Sequence, residues 1–92
     1  MPEPFSPPDA RRLIRTIVAS GQVVFSKHAV AELAADSISR AEALNVLRGG
    51  IVEPAELERG SWRYRARAGQ VYVVVAFRSE SELIVVTGWR TR

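Results

Sequence analysis

The stretch from Trp62 to Arg90 constrains the fold of this 92-residue chain most. It reads as three strands joined by two tight turns: Ser61 to Arg67, Val71 to Arg78 and Leu83 to Arg90. Val71-Tyr72-Val73-Val74-Val75-Ala76-Phe77 has the β-branched and aromatic content of a central strand. Leu83-Ile84-Val85-Val86-Thr87 is a second run of the same kind. The polar links Ala68-Gly69-Gln70 and Ser79-Glu80-Ser81-Glu82 suit hairpin turns. Both runs are apolar at both parities, so both faces of the sheet are expected to be covered.

The N-terminal half must supply at least one cover. Residues 1–5 read as a flexible arm. Ser6-Pro7-Pro8-Asp9 is a helix start, with Ser6 as cap and Pro7 in the first turn. Leu13, Ile14, Ile17 and Val18 recur at helical spacing behind Ala10, and Gly21 stops the helix. Gln22 to Phe25 reads as a short edge strand. Ser26 caps a second helix to about Ala35, with Ala29, Val30, Leu33 and Ala34 as its apolar stripe. Ser39-Arg40-Ala41-Glu42 has the pattern of a capping box, and the helix it opens ends at Gly49-Gly50. Ile51 and Val52 begin an edge strand that Pro54 interrupts. Helices over 6–50 followed by an antiparallel sheet over 51–92 define one α+β domain spanning 1–92.

Composition excludes several classes of function. There is no cysteine and only one histidine, so thiolate and multi-histidine metal sites are ruled out within one chain. No metal and no cofactor are expected. No apolar run reaches the ~20 residues of a membrane helix. The first residues lack the basic-then-apolar layout of a secretory signal. A cytoplasmic protein without membrane contact is the expectation. Residues 1–46 balance five basic against five acidic side chains, whereas 47–92 carry eight arginines against five glutamates. The net charge of +3 therefore lies in the C-terminal half, and a basic sheet face suits a polyanion.

Two features could carry chemistry. His28 falls in the first turn of the second helix, with Glu32 one turn later. A neutral imidazole can take a proton from a hydroxyl, and its charged form can return one. Alternatively, the ring bonds Glu32 or a carbonyl and only closes a helix-sheet seam. The second feature is Trp62-Arg63-Tyr64-Arg65-Ala66-Arg67. On a strand, Arg63, Arg65 and Arg67 share one face. Like charges at every second position need an anion or acids among them. Glu53, Glu56, Glu58 or Glu82 could supply the acids, and a nucleic-acid backbone the anion. Arg78 extends the row, and Lys27 beside the histidine adds a cation. Tyr64, Thr87 and Trp89 are candidates for stacking or support.

Phe25-Ser26-x-His28-Ala29, Leu33, Ile38-Ser39, Gly49-Gly50-Ile51-Val52-Glu53, Arg63-Tyr64-Arg65, Val73-Val74-Val75 and Val85-Val86-Thr87 together resemble one bacterial family. It is a domain-of-unknown-function family with an HA…R…IS start, related to the BrnT and RelE/ParE-like toxins of type II toxin–antitoxin systems. The resemblance covers about residues 22–90. It implies N-terminal helices packed on a small C-terminal antiparallel sheet, metal-independent RNA cleavage, and a cognate antitoxin that blocks it. On that reading His28 and Arg65 are catalytic, and Arg63, Arg67, Arg78 and Lys27 hold phosphate. RNA and the antitoxin are the implied partners, with a homodimer as a further option. The family pattern usually has basic residues four and eight positions after the histidine; here they are Glu32 and Asp36. Either Arg63, Arg65 and Arg67 supply that charge, or the domain is a non-catalytic module binding nucleic acid or protein.

Overall fold

Three serine caps set the helices. In the computed structural model, which describes residues 2–92, Ser6, Ser26 and Ser39 each accept the backbone N–H three residues on. Helix α1 spans Pro7–Ser20, α2 spans Lys27–Ala35 and α3 spans Arg40–Gly49. Only the first half of the expected capping box at Ser39 forms as anticipated. The Glu42 carboxylate turns to Arg90, whose Nη2 lies 3.0 Å away. This ties α3 to the end of the last strand.

The strands are β1 (Gln22–Phe25), β2 (Ile51–Val52), β3 (Glu56–Glu58), β4 (Ser61–Ala68), β5 (Val71–Ser79) and β6 (Glu82–Arg90). They form a six-stranded sheet in the order β1-β6-β5-β4-β2, with β3 also paired to β4. The architecture is α+β with the helices N-terminal, as the pattern predicts. The sheet is mixed rather than purely antiparallel, because β1 runs parallel to β6.

Alternation along β4 decides the layers. Tyr64 and Ala66 are fully buried, in register with Val75 and Val73 of β5. Ala10, Ile14 and Ile17 of α1, Ala29 and Leu33 of α2, and Ala43, Val46 and Leu47 of α3 pack on this face. Each large aliphatic chain so buried contributes about 1.5–3 kcal/mol of transfer free energy. In α2 the buried stripe is narrower than expected, since Val30 is 41% exposed. Gly88 lets α2 approach β6: a Cβ there would lie 2.6 Å from Leu33 Cδ2 and 2.9 Å from the Tyr72 carbonyl oxygen.

Covering both faces was the expectation, and the helices cover one. The opposite face presents Arg65 beside Val74 and Thr87, and Arg67 beside Tyr72 and Trp89. Its apolar side chains shield one another instead. Tyr72 and Trp89 stack with centroids 5.2 Å apart and planes 6° from parallel.

The N-terminal segment, read as a flexible arm, contacts the core. Phe5 donates its N–H to the Tyr64 hydroxyl at 3.0 Å, and that hydroxyl donates to Glu3 Oε2 at 2.8 Å. Phe5, Tyr64 and Phe77 form an aromatic trio.

Candidate functional site

The site begins with an irregularity in β6. Val75 pairs with Val85 and Val74 with Thr87, so Val86 is an extra residue, a β-bulge. The Ser26 hydroxyl caps α2 through Ala29 N–H at 3.0 Å and lies 3.3 Å from the Val86 carbonyl oxygen. Ser26 N–H also donates to the Val85 carbonyl at 3.1 Å. The head of α2 is thereby fixed to the bulge, and His28 follows two residues later. The imidazole is 66% exposed, with Nε2 3.5 Å from Glu32 Oε1. It does not close a buried seam.

A cleft of about 600 Å³ opens on the uncovered sheet face. His28, Val86 and Thr87 line it from the β6 side. Arg63, Arg65, Val74 and Trp89 also line it, together with Glu56, Glu58 and Arg59 from the β3–β4 hairpin. Histidine and two of the β4 arginines thus share one hollow. Arg63 and Arg65 alternate with the buried Tyr64, which is why they emerge together.

The arginines differ in their partners. Arg65 Nε lies 2.7 Å from Glu53 Oε1, and its Nη2 lies 3.6 Å from Glu56 Oε1. Its guanidinium also sits 5.8 Å from the Tyr72 ring centroid. Arg67 Nε lies 3.2 Å from Glu53 Oε2. Arg63 meets only a hydroxyl, Ser61 Oγ at 3.4 Å, among the described residues. An anion entering the cleft would meet Arg63 and Arg59 without displacing a carboxylate.

Other predicted site residues lie elsewhere. Arg67 faces the same side as Arg65 but is outside the cleft lining. Arg78 does not line the cleft. It is the unpaired residue of a second irregularity at the β5–β6 turn, and its Nη1 lies 3.3 Å from Glu82 Oε2. Lys27 is exposed at the start of α2 and does not line the cleft. Tyr64 cannot stack on a base, because it is fully buried on the other face and serves as support. Thr87 and Trp89 both line the cleft. Asp36, at a position read for charge, accepts the Arg90 backbone N–H at 2.7 Å and so joins α2 to β6.

Sequence reasoning missed the hairpin wall. Glu56 and Glu58 belong to β3, a strand absent from the sequence reading. The signal was the Glu-x-Glu alternation followed by a two-residue turn. That turn, Arg59-Gly60, has positive φ at both positions, 52° and 79°, the geometry of a tight hairpin. Among the described residues, no three histidine, cysteine, aspartate or glutamate side chains gather as a metal-binding group. No described helix is long and apolar enough to cross a membrane.

Fold and cleft together define a small α+β domain with an open, arginine-bearing sheet face. The chain belongs to the family described as Domain of unknown function (DUF4258), the match spanning residues 25–90. Every residue lining the cleft falls inside that span, and α1 falls outside it. Comparison with curated proteins and with solved structures found no match.

Proposed function

We propose that the cleft binds RNA and cleaves it without a metal, as a toxin-like endoribonuclease of the type II toxin–antitoxin kind. The observation that carries this reading is the shared cleft of His28, Arg63 and Arg65. His28 takes the proton of a ribose 2′-hydroxyl, whose oxygen attacks the adjacent phosphorus. The O2′–P bond forms as the P–O5′ bond breaks, leaving a 2′,3′-cyclic phosphate. The departing 5′-oxygen takes a proton from cleft water, and the imidazolium returns its own to solvent. Arg63 and Arg65 bind the phosphoryl oxygens and stabilise the charge that grows on them. Trp89, stacked on Tyr72, supports an adjacent base. The relationship to BrnT and RelE-like toxins, a bacterial cytoplasmic setting, an antitoxin that covers the cleft, and a homodimer through the open sheet face all belong to this proposal.

A second reading is favoured by Glu53 and Glu56, which already sit against Arg65. It is a non-catalytic module of the same fold that binds nucleic acid or protein. Induced expression in a bacterial host separates the two. The nuclease reading expects growth arrest with shortened transcripts, both relieved by His28→Ala. Unimpaired growth with intact transcripts favours the binding module.

A further inference from the structure

Glu53 sits where β2 leaves the sheet, just before Pro54. Its own N–H donates to the Arg65 carbonyl at 2.9 Å, so its backbone is anchored to β4. Its carboxylate is 26% exposed and spans two arginines. Oε1 takes Arg65 Nε at 2.7 Å and Oε2 takes Arg67 Nε at 3.2 Å. Both contacts use the inner nitrogen of the guanidinium. The outer nitrogens of Arg67 have no other partner among the described residues, and Arg65 Nη2 has only Glu56 at 3.6 Å.

We infer that Glu53 is a positioning residue that turns Arg65 and Arg67 into a paired grip for two successive phosphates of an extended single strand. Holding each Nε fixes the plane of each guanidinium and leaves its outer edge to meet an anion. The shared carboxylate also removes the repulsion that two like charges on one strand face would suffer. Residues two apart on a strand are about 6.6 Å apart, close to the phosphate step of a stretched nucleic-acid strand. The stacked Tyr72–Trp89 pair lies in register with Arg67 and offers π-surface to an unpaired base. The strand's path therefore leads from the cleft at Arg65 outward past Arg67. The inference rests on the RNA reading and adds the form of the substrate and a residue that reading does not use.

A bland role for Glu53 makes the opposite prediction. If it only neutralised charge, Glu53→Gln would leave a more positive face and tighten binding of any polyanion. The test is fluorescence anisotropy with a 2′-O-methyl oligonucleotide, which lacks the nucleophile, as an unpaired strand and as a duplex. Positioning predicts that Glu53→Gln weakens single-strand binding about tenfold and shifts the duplex less. Equal or tighter single-strand binding by Glu53→Gln would overturn the inference and leave the RNA reading standing. A wild-type protein that binds no single strand overturns both. Side-chain NMR of the wild type decides the clamp even if the variant fails to fold. The Nε–H signals of Arg65 and Arg67 should stay protected from exchange as the oligonucleotide is added, while their Nη signals shift. Rapid exchange at either Nε would contradict the clamp.

Discussion

The Ser26 hydroxyl stands 3.3 Å from the carbonyl oxygen of Val86, the extra residue of the β6 bulge. One side chain thus starts α2 and secures its head to the strand that lines the cleft. Removing it should loosen the place where His28 emerges. Ser26→Ala is expected to cost about 1–2 kcal/mol, from the lost cap and the lost bond to Val86. Denaturant unfolding would show this as a lower midpoint at unchanged slope. A midpoint equal to that of the wild type would contradict it.

Gly88 makes a second test of how α2 is held. A methyl group there meets Leu33 Cδ2 at 2.6 Å and the Tyr72 carbonyl oxygen at 2.9 Å. Gly88→Ala should destabilise the fold by about 1–3 kcal/mol through overpacking. Gly88→Ala should cost less in a Leu33→Ala background, because one of the two clashing atoms is then gone, although Leu33→Ala is itself destabilising. A double-mutant cycle with no coupling between the two positions would refute the contact.

Tyr64 gives the fold a sensitivity to alkali. Burial pushes its phenol up to about 12 from 10.0, and the Glu3 carboxylate adds to that while the Phe5 N–H opposes it. The folded state therefore holds the phenolic proton more tightly than the unfolded chain. That contribution is complete below pH 10 and is lost as the pH rises through 12, at about 1.4 kcal/mol per pH unit. Thermal melts should show the stability gap between wild type and Tyr64→Phe constant up to pH 10 and shrinking above it. A gap that stays constant to pH 12 would contradict this account.

Trp89 and Arg63 should separate stacking from charge. Trp89→Ala is expected to weaken single-stranded RNA by about 1–3 kcal/mol with little change in salt dependence. Arg63→Ala should instead flatten the salt slope by roughly 0.7, the share of one phosphate contact on a single strand. Identical salt slopes for wild type and Arg63→Ala would remove Arg63 from the phosphate contacts.

Much of this fold could be read locally. Ser6, Ser26 and Ser39 declare their helices because a capping hydroxyl acts within three residues. The long strands declare themselves through Val71–Phe77 and Leu83–Thr87. Alternation at Arg63, Arg65 and Arg67 told which side chains share a face, and His28 stood out as the lone imidazole. Alternation does not tell which face a helix will cover, so the open side of Tyr72, Val74 and Trp89 was misjudged. Tyr64 is a stacking or support candidate as an aromatic beside the arginines, yet it is buried on the other face, where Phe5 and Glu3 satisfy its hydroxyl. The bulge at Val86 and the parallel pairing of β1 with β6 depend on partners far along the chain. Arg78 joins the row by spacing, but the β5–β6 pairing skips it at the turn and Glu82 lies beside it, outside the cleft.

The central claim is that His28 transfers a proton within the arginine-lined cleft. Purified protein incubated with labelled single-stranded RNA in excess chelator tests it most directly. The account predicts fragments ending in 2′,3′-cyclic phosphate, with His28→Ala slower by 10²-fold or more though it still binds the RNA. Intact RNA with the wild type, or equal cleavage by His28→Ala, would contradict it.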